Sequence, residues 1–296
     1  MPEGPSETTQ RRTVRAPRVP VRRTKDPSAA SGVNHLVWKS SGSLSTTGTI
    51  ASQYFFDDDA MPGDMFFDSG SADVFRFDGT TWTHEQKLTA SDGACKNQFG
   101  ESIAIGTEVI AVGAPHDSAG ANSGAVYVFR HDGTAWIEEQ KIVPGDPGGF
   151  GRSVAVDSDL LAAGRGNSVV VYRYDGMTWI EEQILTALDA EPADEFGFSV
   201  AVEGQVILVG AYSDDSTDVD SGSAYVFCHN GHSWVQEQKL VGSELARGNY
   251  FGWSVSLSGD LALIGAPYGF QNRPAGLFGS AYAYRFNEKR GPRKKG

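Results

Sequence analysis

The sequence predicts an all-β protein of four-stranded antiparallel units, the pattern of a β-propeller, and three observations predict it. A Phe-Gly pair recurs at Phe99-Gly100, Phe150-Gly151, Phe196-Gly197 and Phe251-Gly252. Each Phe is followed 14 residues later by a glycine that ends an apolar run: Gly113, Gly164, Gly210 and Gly265. A second fixed interval, of 12 residues, separates Gly70 from Trp82, Gly124 from Trp136 and Gly222 from Trp234. Asn167 takes the glycine's place before Trp179, as Asn commonly does where φ is positive. The composition, with 36 Gly, 16 Phe, 10 Tyr and 6 Trp in 296 residues, suits strands and turns. Gly, Pro and β-branched residues interrupt nearly every window that would read as helix. A unit recurring every ~45–55 residues is a repeat architecture.

The unit over residues 199–240 shows the elements in order. Residues 199–202 read as a first strand, and Glu203-Gly204-Gln205 turns it. Residues 206–209 are a second strand, apolar throughout and so buried on both faces, and Gly210 ends it. Residues 223–227 form a third strand. Asn230-Gly231 signals a hairpin, and residues 234–240 form a fourth, mostly polar strand. Elsewhere the second strands are 109–112, 160–163 and 261–264, and the hairpins turn at Asp78-Gly79, Asp132-Gly133 and Asp175-Gly176. Every fourth strand carries Trp, two residues, then Glu-Gln: Glu85-Gln86, Glu139-Gln140, Glu182-Gln183 and Glu237-Gln238. A polar fourth strand suits an outer edge. A second strand of small residues (Ala111, Ala162, Ala163, Ala262) suits a crowded place nearer an axis. One sheet cannot cover both its faces, so Phe99, Phe150, Phe196 and Phe251 are expected as core between neighbouring units.

Phe-Gly-x-Ser, a short apolar stretch, Gly-Ala-Pro (113–115, 265–267) and then Ser-Gly-Ser-Ala-Tyr-Val-Phe (221–227) resembles the FG-GAP repeat family. That family includes the N-terminal propeller of integrin α subunits and many bacterial extracellular proteins. The resemblance covers residues 66–286. It implies a β-propeller, extracellular or at the cell surface, that binds a protein or carbohydrate ligand and requires no cofactor. Five units are visible. The first shows only its second half, 68–88, and the last stops at Phe286, with Gly291 where a Trp would stand. A partial propeller, or one with a degenerate first blade, is expected over residues 54–287. Residues 1–53 are a basic, Pro/Ser/Thr-rich segment expected to be disordered, and residues 288–296 are a basic tail.

The net charge of −12 hides an asymmetry. Residues 1–39 carry eight Lys/Arg against three acids, and residues 288–296 carry five against one. Residues 40–287 hold 12 basic and 33 acidic residues, a net of −21, which argues against nucleic acid as a partner of the repeats. Residues 1–31 contain no apolar run that would serve a signal peptide. No stretch approaches the ~20 apolar residues of a membrane helix, so no membrane insertion is expected. Cys95 and Cys228 make no disulfide framework and read as free thiols.

The spacings also locate a functional face. Turns between strands 1 and 2 and between strands 3 and 4 are nearly constant, whereas the 2–3 links and the links between units vary. In an up-and-down unit those variable links emerge on one face, the mark of a binding surface on a rigid scaffold. The candidates there are Tyr212, Asp214, Asp218, Tyr268 and Phe270 from the 2–3 links. Glu101, Arg152 and Trp253 join them from the one column after Phe-Gly that does not repeat, whose fourth member is Phe198. Asp214, Asp218 and Asp220, in one acidic loop, are candidate oxygen donors for weakly bound Ca²⁺. The calcium loop of integrin-like repeats lies instead between strands 1 and 2, and these turns are too short for it. No nucleophilic elbow or P-loop is present, and the repeated serines (Ser102, Ser153, Ser199, Ser254) are a scaffold column. The expected function is non-enzymatic recognition. Two alternatives stay open: a structural repeat segment of a larger surface protein, and a carbohydrate-active enzyme using loop carboxylates.

Overall fold

The computed structural model describes residues 50–53, 70–94, 97–117, 123–145, 148–243, 245–268 and 279–286. These residues form strands and turns with no helix, arranged in five antiparallel sheets. The first sheet holds β1 (Ile50–Gln53), β2 (Ser71–Phe77) and β3 (Trp82–Leu88). The second holds β4 (Ser102–Ile105), β5 (Val109–Ala114), β6 (Ala125–His131) and β7 (Trp136–Ile142). The third holds β8 (Val154–Asp157), β9 (Leu160–Arg165), β10 (Ser168–Tyr174) and β11 (Trp179–Leu185). The fourth holds β12 (Phe196–Glu203), β13 (Val206–Ala211), β14 (Ser223–His229) and β15 (Trp234–Leu240). The fifth holds β16 (Ser254–Ser258), β17 (Leu261–Ala266) and β18 (Ser280–Arg285). Within each sheet spatial order follows chain order.

Three sequence expectations need correction. Residues 50–53, assigned above to the disordered N-terminal segment, form β1, which pairs with β2 from Ile50 opposite Val74 to Gln53 opposite Ser71. The second strands do not end at their glycines: β5, β9, β13 and β17 each run one residue further. Asn167 does not stand in for a left-handed glycine, because the positive φ falls on Gly166. The Asn167 side chain has a different task. In two units the backbone N–H of the repeat Phe donates to a carbonyl of the preceding 2–3 link, Phe150 to Ser123 and Phe251 to Ser221, both at 2.9 Å. The third unit has almost no link, and Phe196 N–H donates instead to Asn167 Oδ1 at 2.7 Å.

The sheets pack face to face in chain order, and each interface is centred on one repeat Phe. Phe99, Phe150, Phe196 and Phe251 are all fully buried. Phe150 lies among Ala111, Val126 and Val128 of the second sheet and Leu161, Ala163 and Val170 of the third. Phe196 and Phe251 lie in the same way at the next two interfaces.

Two kinds of polar contact fasten neighbouring sheets. From the first strand of a unit, Ser102 Oγ donates to the carbonyl of Gly151, Ser153 Oγ to Gly197 and Ser199 Oγ to Gly252, at 2.6, 2.6 and 2.7 Å. This explains the downstream glycine of each unit. A Cβ on Gly113, Gly164 or Gly210 would lie 1.9, 2.2 or 1.9 Å from that same carbonyl oxygen, so the strand can continue but cannot carry a side chain. At the fourth strand a Gln amide clasps the backbone of the following unit's Trp. Gln86 donates to Trp136 O and accepts from Trp136 N–H, both at 2.8 Å, and Gln140 with Trp179 and Gln183 with Trp234 do the same. The Glu before each Gln occupies a bulge, where the pairing of strands 3 and 4 skips one residue. The bulge turns the Glu side chain onto an arginine of strand 3: Arg76–Glu85 and Arg130–Glu139 at 2.7 Å, and Arg173–Glu182 at 3.0 Å.

Candidate functional site

The non-repeating column after Phe-Gly comes together on one face. Each of its residues follows a tight turn whose first member has a left-handed backbone. The residue before the repeat Phe is Gln98 (φ 56°), Gly149 (φ 64°), Glu195 (φ 56°) or Tyr250 (φ 54°). Such a conformation is uncommon for a tyrosine or glutamate. The Gly-like position therefore aims Glu195 and Tyr250 at the same surface as the column itself.

Two adjoining parts make up the site. The polar part is a cleft of about 510 Å³ whose lining includes Glu101, His116, Arg152, Arg165, Glu195 and Phe198. Arg152 Nη1 lies 2.9 Å from Glu195 Oε2, and its guanidinium carbon sits 4.5 Å above the Phe198 ring, an arrangement that stacks and ion-pairs the cation at once. Burial pushes the Glu101 carboxyl above the ordinary glutamate value, against the attraction of His116 and Arg152.

The second part is an aromatic cluster. Phe198 contacts Tyr212 (ring centroids 4.5 Å apart) and Trp253 (4.8 Å), and Tyr212 and Trp253 touch at 4.8 Å. Tyr250 joins Tyr212, and Tyr268 joins Tyr250, each at 5.5 Å. The rings are tilted or edge-to-face, the preferred geometry of packed aromatic side chains. Trp253 and Tyr268 are 37% and 43% exposed, high for such large rings in a packed cluster.

Of the residues expected from sequence, Glu101, Arg152, Tyr212, Trp253 and Tyr268 share this surface. Phe270 lies outside the described residues. Asp214 does not belong to the exposed set. It is 3% exposed, and its carboxylate accepts hydrogen bonds from Tyr225 Oη, Ser223 Oγ and Lys239 Nζ, each at 2.8 Å, and from the N–H and hydroxyl of Ser216. Burial pushes its pKa up, but the hydrogen bonds from Lys239, Ser216, Ser223 and Tyr225 outweigh that and hold it below the ordinary value. Asp117 repeats the arrangement in the second unit, with Tyr127 Oη at 2.6 Å and Lys141 Nζ at 2.9 Å. The third unit has neither the long link nor the tyrosine and lysine, which are Val170 and Ile184 there. The Asp–Tyr–Lys set is thus an anchor that ties a long 2–3 link to its sheet.

Asp218 is exposed and caps Val219 N–H at 2.8 Å, while the Asp220 N–H donates to Asp215. Asp214, Asp218 and Asp220 are therefore not gathered as expected, and no set of three or more His, Cys, Asp or Glu among the described residues is placed to hold a metal. The sequence reading missed Glu195, Tyr250 and His116. The Gly149 column was the available signal for the first two.

A second depression, of about 590 Å³, opens on the side of the constant turns, with Arg76, Glu85, Glu108 and His131 in its wall. Its charges are spent on the Arg–Glu pair that recurs from unit to unit, Arg76 on Glu85 at 2.7 Å, with His131 3.6 Å from the same carboxylate.

Compared with known protein families, the chain matches the FG-GAP repeat over residues 82–129, 179–227 and 234–284, together half of its length. Each matched stretch begins at a fourth-strand tryptophan. The unit between the first two, with the short Arg165-Gly166-Asn167 link, lies outside the match. A search of the curated proteins gives no match.

Proposed function

The chain belongs to the FG-GAP repeat family, and on that premise we propose that its sheets are blades around a common axis and that the face bearing the cleft and the aromatic cluster binds a ligand without transforming it. One observation carries the reading. The column after Phe-Gly that the repeats do not preserve, Glu101, Arg152, Phe198 and Trp253, supplies three residues to one cleft, with the fourth packed beside it. Variation focused on one spot of a rigid scaffold is what ligand choice requires. The chemistry fits a glycan first: aromatic rings take the C–H faces of a sugar, and the paired Arg152–Glu195 and the Glu101 carboxyl address its hydroxyls. A polar loop of a partner protein would use the same groups. A setting outside the cell or at its surface, which the family resemblance implies, belongs to the same proposal.

A glycan panel probed with the full chain tests the proposal. Binding to at least one glycan class is expected, weakened at least tenfold by Trp253→Ala and by Arg152→Ala at unchanged melting temperature. Binding indifferent to both substitutions would place the ligand elsewhere.

A second reading, a structural segment within a repeat assembly, is favoured by one observation. The outward face of the fifth sheet is exposed, with Leu263 at 46%.

A further inference from the structure

The fifth sheet carries the same docking features as the sheets before it, but no described residue fills them. The register defines equivalent positions. Ala104, Ala111 and Val128 in the second sheet correspond to Ala155, Ala162 and Val171 in the third, to Ala201, Leu208 and Val226 in the fourth, and to Ser256, Leu263 and Ala283 in the fifth. In the second and third sheets all of these side chains are buried, and in the fourth Leu208 and Val226 are, because the following unit's Phe covers them. In the fifth, Ser256, Leu263 and Ala283 are exposed.

The polar sockets are open too. Ser254 stands in the column of Ser102, Ser153 and Ser199, each of which donates to the next unit's Phe-Gly carbonyl. The nearest atoms to a Cβ on Gly265 all belong to Ser254 of its own sheet, and among the described residues none is a carbonyl of a following unit. Gln238 stands in the column of Gln86, Gln140 and Gln183 but is exposed, and β18 has no outer neighbour among the described residues. All of these vacancies match one object. Within the chain, the stretch from β11 into β13 pairs with β10, is clasped by Gln140 and delivers Gly197 to Ser153 and Gly164.

We infer that the fifth sheet is a docking surface for a further repeat of the same pattern supplied from outside residues 1–296: a Trp-x-x-Glu-Gln strand that adds to β18, followed by a Phe-Gly that covers Leu263 and Ala283. A second copy of residues 1–296 does not supply it. The four Phe-Gly pairs that open the repeats are already buried between sheets, the remaining pair, Phe278-Gly279, follows no Trp-x-x-Glu-Gln strand of its own unit, and residues 1–49 and 287–296 contain neither a Phe-Gly pair nor a Trp-x-x-Glu-Gln run. Ser256, where the other units have alanine, keeps the uncovered face compatible with water.

The test uses the full chain and a fluorescently labelled synthetic peptide with the sequence of residues 179–211, followed by anisotropy. A saturable 1:1 complex is expected. Gly265→Ala, whose methyl fills the carbonyl socket, and Gln238→Ala, an exposed truncation, should each weaken it at least tenfold while the thermal unfolding curve stays unchanged. Absence of binding, or equal binding by both variants, overturns the inference. Concentration-dependent self-association abolished by Gly265→Ala would also overturn it, by making a second copy the occupant.

Discussion

The hydroxyl of Ser199 donates to the carbonyl oxygen of Gly252 at 2.7 Å, across the boundary between two repeat units. Gly210, paired with Ser199 on the neighbouring strand, is what lets that carbonyl in. Phe-Gly, Ser and the downstream glycine thus form one contact distributed over two units: the Phe fills the interface, its Gly offers the carbonyl, and the previous unit's Ser and Gly receive it.

A methyl group at Gly210 should therefore be expensive and one at Gly265 cheap. At Gly210 the added Cβ would lie 1.9 Å from backbone that cannot move without shifting a whole sheet, whereas at Gly265 its nearest neighbour is the rotatable Ser254 hydroxyl. Overpacking typically costs about 1–3 kcal/mol, and backbone contact of this kind belongs at or above the upper end. Urea titration should show Gly210→Ala losing about 3 kcal/mol and Gly265→Ala less than about 1 kcal/mol. Equal losses would mean that the glycine column serves chain conformation instead of the interface.

Asp214→Ala should destabilise by about 3 kcal/mol, because it leaves the buried Tyr225 and Ser223 hydroxyls and the partly buried Lys239 without their shared acceptor. Asp218→Ala, on the exposed part of the same loop, should change stability by less than ~0.5 kcal/mol. The pH dependence has a defined sign. The Asp214 pKa in the folded chain is lowered, so its contribution is complete above the unfolded carboxylate value of about 3.9 and is lost as pH falls through the folded value. Asp189, which shares Lys239, is lowered too: burial raises it, but the lysine outweighs burial. Acid titration of stability should thus show a steep limb below about pH 4 that flattens in Asp214→Asn. An unchanged limb would assign acid sensitivity to other carboxylates.

How much of this was legible follows from where the information sits. The fixed intervals exposed the repeat, its four strands and the buried Phe column, because the packing of one unit on the next constrains spacing directly. The candidate face was legible as a place, through Glu101, Arg152 and Trp253, since a column that varies inside a constant frame is visible in one sequence. The role of Asp214 was not. An Asp among other acids in a Ser/Thr-rich link reads as solvated, and its partners Tyr225 and Lys239 come from strands 11 and 25 positions away. The signal was weak but present: where the link is deleted, the tyrosine and lysine columns become Val170 and Ile184. Strand β1 was hidden because Ile50–Gln53 borders a basic segment and lacks the Phe-Gly frame.

The cleft should bind without turnover. An acid–base mechanism would need Glu101 and Glu195 as a working pair, but the Glu195 carboxylate is held by Arg152 at 2.9 Å. Chromogenic glycosides incubated with the full chain should release no aglycone above the uncatalysed rate, and Glu101→Gln should change ligand affinity alone. Hydrolysis that disappears in Glu101→Gln would make the protein an enzyme and its raised carboxyl the acid.

Cys228 occupies the arginine column of the fourth sheet, opposite Val235, as Arg130 lies opposite Ile137 in the second. Glu237 stands in the bulge that presents Glu85, Glu139 and Glu182 to their arginines, so its usual partner is missing. Burial, with the nearby Glu237 charge adding to it, pushes the thiol above its ordinary pKa, leaving little thiolate at neutral pH. Reaction of the native protein with a disulfide reagent at pH 7 should therefore be slower than that of the unfolded chain. Cys228→Arg should restore the cross-strand pair and stabilise by about 0.5 kcal/mol at low salt, the scale of a partly exposed ion pair, with the gain shrinking in high salt. The test is a comparison of urea midpoints at the two salt concentrations, with Glu237→Gln in the Cys228→Arg background as control. If the gain survives that control, it comes from the packing of the arginine stem and not from its charge.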